Sequence, residues 1–218
     1  MFDTLMALPL FQGLGREDLT RIVESTRLDF RTLKACTTFI TQGSSCDGLT
    51  FVMDGTVCMS TDAADSRWRV EELLAAPLVI GTEVLYGRTR WHLHSYRTEQ
   101  QVHLLDVDKR TVGALTAYFE VFRLNLLNLL TTGIVKHEQQ NWLPPSASLE
   151  GRIITFLRRH VMRPAGEKRF HISLPLLGAY LGQDPRYVSK ALHRLEDRGV
   201  VELSRRLIVI PKFEKLVQ

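Results

Sequence analysis

The stretch SLPLLGAYLGQDPRYVSKALHRLEDRGVVELSRRLIVI, residues 173–210, decides how the chain is read. Ser173 can cap a helix that carries Pro175 in its first turn and runs through Leu176, Leu177, Ala179 and Leu181. Gly182 supplies the positive φ that ends it. Asp184 caps a second helix with Pro185 at its first position, running to about Asp197. Val188, Leu192 and Leu195 form its inner face, and Arg186, Tyr187, Ser189, Lys190, His193 and Arg194 its outer one. Two short capped helices joined through a glycine make a helix-turn-helix, whose second helix can lie in a major groove. Two strand-like runs follow, Val200-Val201-Glu202-Leu203 and Leu207-Ile208-Val209-Ile210, joined by Ser204-Arg205-Arg206. A hairpin placed there completes a winged helix-turn-helix. Arginines at its tip suit phosphates, which give affinity and register rather than sequence reading.

Upstream, Gly151 to Val161 reads as a helix with an apolar side and a basic one. The charge distribution agrees with a polyanion partner for this end alone. Residues 145–218 hold 14 Lys/Arg against 7 Asp/Glu, whereas residues 1–110 hold 12 against 15. The DNA-facing candidates are therefore Ser173, Arg186, Tyr187, Ser189, Lys190, Arg194, Arg205 and Arg206. A basic module that contacts a protein instead of DNA is the alternative.

The remainder divides into two textures. From Phe30 to Val107, short apolar runs alternate with turn residues such as Gly43-Ser44-Ser45 and Asp54-Gly55. This spacing predicts a small antiparallel barrel or jelly roll over residues 1–110. Residues 111–144 read as a long helix and hinge. Phe119, Phe122, Leu126, Leu129 and Gly133 recur at intervals of three and four, while Leu124, Leu127, Leu130 and Ile134 widen the apolar surface. So wide a surface predicts a homodimer, with the first five residues at its interface. Leu143-Pro144-Pro145-Ser146 stops the helix. The fold class expected is α+β: an N-terminal antiparallel jelly roll, a dimerisation helix and, over 145–218, the winged helix-turn-helix.

Taken in order, these segments resemble the Crp–Fnr family of bacterial transcription regulators. Leu10-Phe11-Gln12-Gly13-Leu14 is similar to the family's opening helix. Phe39-Ile40-Thr41-Gln42-Gly43, Leu49 to Val57 and Ile80-Gly81-Thr82-Glu83 resemble landmarks of its effector barrel. Val188-Ser189-Lys190-Ala191-Leu192, followed by Leu195-Glu196-Asp197-Arg198-Gly199, resembles its recognition helix and exit. The resemblance implies a cytoplasmic homodimer that binds a double-stranded DNA operator, works with RNA polymerase and reorients its DNA-binding domains when a small-molecule effector binds. The common family operator is read by Arg-Glu-x-x-x-Arg. This chain has Pro185-Arg186-x-x-x-Lys190, so a cation stands where a Glu would accept from cytosine N4, and the preferred sequence should differ.

By the same resemblance the effector residues would be Gly81, Thr82, Glu83, Arg90 and Trp91. Thr82 intervenes between the pocket glycine and the Glu, and bulky Trp91 follows Arg90 where a hydroxyl residue is expected, which disfavours cyclic AMP. The effector stays unidentified. No cysteine precedes Cys36 and no C-x-x-C occurs, which argues against an iron–sulfur cluster. His92 and His94, with His103, leave haem as a minor alternative. Cys36, Cys46 and Cys58 read as reduced, inert thiols. No P-loop, G-x-S-x-G or H-E-x-x-H occurs, so the chain reads as a regulator and not an enzyme; no apolar run is long enough for a membrane span.

Overall fold

The computed structural model describes residues 2–142 and 146–216. Along the chain come α1 (Phe2–Met6), α2 (Arg16–Ser25), β1 (Asp29–Leu33), β2 (Thr38–Ile40), β3 (Gly48–Val52), β4 (Thr56–Asp62), β5 (Arg69–Ala75) and β6 (Leu78–Ile80). Then follow β7 (Ser95–Thr98), β8 (Val102–Asp108), α3 (Lys109–Tyr118), α4 (Glu120–Asn141), α5 (Leu149–Arg159) and β9 (Lys168–His171). The last are α6 (Leu174–Leu181), α7 (Pro185–Asp197), β10 (Glu202–Ser204), β11 (Leu207–Ile210) and α8 (Phe213–Leu216). Leu143, Pro144 and Pro145 of the expected linker lie outside the described residues.

Two compact units result, and their division does not follow a simple cut of the sequence. One holds residues 1–57 and 75–136; the other holds 58–74 together with 137–218. A hairpin that reads as part of the barrel thus belongs with the C-terminal helices.

In the first unit β8 lies between β1 and β3, antiparallel to both, with Leu105 opposite Phe30 on one side and Phe51 on the other. β6 continues this sheet beyond β3, and β2 pairs with β7. Successive residues of a strand point to opposite faces, so with Leu104 and Leu105 both buried β8 is covered on both faces there. Phe11 meets Phe51 and Phe122 edge-on, at centroid distances of 5.4 and 5.3 Å. The turn before α2, the sheet and α4 therefore share one core.

The single helix expected from Val112 to Gln139 is broken at Phe119, whose backbone is extended while its N–H still bonds Leu115 O. The Phe119 ring packs against the same core.

Two of the five residues expected at the dimer interface are instead interior to the unit. Phe122 and Leu126 are buried in the unit's own core, and Phe119 and Leu129 pack against it. The periodicity was that of a helix covering its own sheet. Gly133 is half-buried, with open space where a Cβ would be. The apolar surface left exposed on α4 is Leu124, Leu127, Ile134 and Val135.

The second unit is built on strands in the order β10-β11-β9-β5-β4. β9 pairs antiparallel with β11 on one side and with β5 on the other. Lys168 and Glu72 face each other across β9 and β5, 3.0 Å apart, with side chains 0% and 1% exposed. Glu72 also accepts from the backbone N–H groups of Met162 and Arg163 at 2.6 and 2.9 Å, and Lys168 donates to Ala165 O at 2.8 Å. Every polar atom of this buried pair is thereby used, which such burial requires. Trp68, next to β5, packs on Phe156 and His160 of the α5 end and donates from Nε1 to the Tyr180 hydroxyl at 3.1 Å.

Candidate nucleic-acid interface

The helix-turn-helix is held by two glycines for different reasons. Gly182 takes φ 59° at the end of α6, a left-handed conformation that closes the helix and costs glycine little. Gly178 lies inside α6, where a Cβ would stand 2.7 Å from Gln183 O and 3.4 Å from Pro185, so it permits the close approach of α6 to the start of α7. Asp184 caps α7 by accepting from Arg186 N at 2.8 Å.

The same Asp184 carboxylate takes the Nε and Nη2 edge of Arg186, both at 3.1 Å. That side-chain bond, before the cap itself, holds the Asp184 carboxyl below its usual range. The Arg186 side chain is otherwise 89% exposed.

Spacing along α7 decides what else faces outward. Arg186, Lys190 and His193 recur at intervals of four and three and are all exposed, opposite the buried Val188, Ala191, Leu192 and Leu195. Ser189 is half-buried on the wing side of this face: together with His193 it lines a cavity of about 570 Å³ whose other wall includes Arg205 and Arg206. Glu196 ties helix to wing, accepting from Leu203 N at 2.9 Å and lying 3.0 Å from His193 Nδ1. The wing turn between β10 and β11 is two residues, Arg205 and Arg206, both exposed, with Arg206 at φ 60°.

Two of the expected DNA-facing residues, Tyr187 and Arg194, lie on the flank of α7 beside this line. Arg194 turns to α5, 2.5 Å from Glu150 Oε1, beside Arg198 at 3.0 Å from the other oxygen. Tyr187 is exposed on the same flank, seven residues before Arg194. The Arg194 pairing holds the Glu150 carboxyl below its usual range. Ser173 is where it was expected, at the α6 N-cap, but its hydroxyl makes no cap bond. His193 belongs to the reading face on spacing alone, and the sequence reading had not placed it among the DNA contacts.

In the first unit, Gly81 opens a turn in which Leu85 N bonds Gly81 O at 3.0 Å. Thr82 is buried and donates to Glu83 Oε2 at 3.2 Å. Arg90 is exposed, 3.8 Å from Asp47, and Trp91 is exposed and bridged to Ser45. A separate cavity of about 400 Å³ is lined by Arg27, Asp29, Arg31, Asp47, His92, Asp106 and Asp108 among others, and by none of the five expected effector residues. His92 and His94 are buried, whereas His103 sits on the surface 2.6 Å from Asp54. Among the described residues no cluster of three or more His, Cys, Asp or Glu side chains could hold a metal ion, and no helix is long and apolar enough to cross a membrane.

Comparison with known proteins agrees with this geometry. Residues 151–218 match the family model described as the Crp-like helix-turn-helix domain. No curated protein sequence matches the chain. Among solved structures, the chain is similar to Thermus thermophilus catabolite activator protein, with 21% identity over 96% of each chain and a TM-score of 0.50. It is also similar to the sensor domain of the transcriptional regulator DNR from Pseudomonas aeruginosa, with 16% identity over 67% of this chain and 95% of that one, and a TM-score of 0.51. The chain therefore shares the fold of these solved structures, and its residues 151–218 match the Crp-like helix-turn-helix domain.

Proposed function

We propose that this protein is a sequence-specific DNA-binding transcription regulator that acts as a homodimer and responds to an effector bound by its first unit. The observation that carries the reading is the outward face of α7. Arg186, Lys190 and His193 stand on one line, and the two wing arginines share a concavity with Ser189 and His193. Asp184 buttresses Arg186, so the guanidinium meets a base already oriented, and its remaining N–H donors suit the O6 and N7 acceptors of guanine. Arg205 and Arg206 supply phosphate contacts that carry no sequence information.

Dimerisation belongs to the same proposal. Leu124, Leu127 and Ile134 form an exposed apolar stripe on α4, and symmetric oligomers bury such self-complementary surfaces. A dimer would present two α7 helices to two half-sites of an operator.

The test is selection from a randomised duplex library. The wild-type protein should enrich a two-fold symmetric sequence, and Arg186→Ala should lose preference at one position in each half-site, worth about 1–3 kcal/mol. Binding without enrichment of any sequence, or no binding to duplex DNA at all, would overturn the reading.

A further inference from the structure

The wing arginines also border a second, larger concavity on their other side. This groove, about 720 Å³, is lined by Ser173, Arg205 and Arg206, as the first is, and in addition by His171 and Arg67. Among the described residues, none that lines it carries a carboxylate. Arg67 comes from the tip of the β4–β5 hairpin, far earlier in the chain, and its side chain is 65% exposed.

It is also held in place. Asp65 accepts from Arg67 N at 3.1 Å and from Nε at 2.5 Å. The next residue, Trp68, is locked into the aromatic cluster of α5 and α6. A positioned arginine loses less side-chain freedom on binding than a mobile one. The groove exceeds what one small anion would fill, whereas a strand of DNA presents a charge every ~3.4 Å.

We propose that Arg67 is a DNA-phosphate contact, so that the β4–β5 hairpin extends the phosphate track of the wing. This rests on the DNA-binding reading above. Asp65 neutralises part of the Arg67 charge and so limits the contact.

The experiment measures affinity of the full chain for a 40-base-pair duplex across salt. Removing one phosphate contact lowers the slope of log K against log salt by ~0.9. Over a fourfold rise in salt, Arg67→Ala should therefore lose about 3-fold less affinity than the wild type. Arg67→Lys should keep the wild-type slope, Asp65→Asn should bind more tightly, and none should change the enriched sequence. Trp68 fluorescence at the wild-type wavelength shows that each variant keeps the hairpin docked. A steep wild-type slope left unchanged by Arg67→Ala overturns this inference while the DNA reading stands. A wild-type protein that ignores duplex DNA removes both. Poly-glutamate bound as tightly as the duplex would assign the groove to acidic partners in general, and would also overturn it.

Discussion

Arg206 occupies a backbone conformation at φ 60° that costs a residue with a Cβ roughly 1–2 kcal/mol and costs glycine little. A two-residue hairpin turn that carries arginine there keeps the side chain at the expense of the backbone. Arg206→Gly should thus leave the melting temperature unchanged or raise stability by up to about 1 kcal/mol, while weakening DNA binding alike on all sequences. Thermal melts beside anisotropy titrations check both, and a lower melting temperature would mean that the side chain holds the turn. Arg186 and Arg194 teach the complementary lesson. In the sequence they are outer-face cations eight residues apart, yet one pairs with the cap two residues before it and the other with Glu150 of α5. The first pairing is written locally; the second is not, because Glu150 arrives from another helix. The Asp184 cap, Gly182 and the extent of α7 were legible, since each is written in residues next to one another. Arg67 was not, because its neighbours Arg205 and Arg206 lie far along the chain.

The strands least legible in the sequence are the two that join the hairpin to the winged domain. β5 reads Arg-Val-Glu-Glu-Leu-Leu-Ala, whose composition favours helix, and β9 reads Lys-Arg-Phe-His, with charge at half its positions or more. Each becomes a strand through its partner: Val70 and Phe170 fall opposite one another, and so do Glu72 and Lys168. Glu72→Ala should destabilise the second unit by about 3–5 kcal/mol, because it strands a buried ammonium. The double change Glu72→Leu with Lys168→Met should recover much of that loss, and urea denaturation followed by Trp68 fluorescence compares the two. In the first unit, burial is the main cause that pushes the His92 imidazole below its usual range, against weaker opposing pulls from Glu83 and Asp47. The folded state therefore binds this proton less readily than the unfolded chain, whose imidazole titrates near 6.5. The associated stability is complete above about pH 6.5 and is lost as pH falls from there toward the lowered folded value. A His92→Gln variant should show a flatter stability profile across that window than the wild type in denaturation series at stepped pH.

At the scale of the molecule, the charge split was legible from composition, and the barrel from its alternating runs. The side of α4 that stays exposed was not. Both apolar faces repeat at helical spacing, and only Phe11 and Phe51, distant in sequence, choose Phe122 and Leu126 for the interior. Leu127→Glu should accordingly dissociate the proposed dimer, placing like charges across its axis, while the monomer stays folded; sedimentation and circular dichroism read the two outcomes. Leu126→Glu should instead unfold the first unit. The split origin of the second unit has a consequence for biosynthesis. Glu72 precedes its partner Lys168 by 96 residues, so at ~5–20 residues per second β5 waits roughly 5–20 s for β9 to be made. During that interval the nascent chain carries an unpaired strand edge, the kind of surface through which chains adhere to one another. The glutamates at 71 and 72 oppose this: an acidic edge repels a second copy of itself on a neighbouring ribosome, whereas Lys168, which the same chain has yet to supply, is attracted to it.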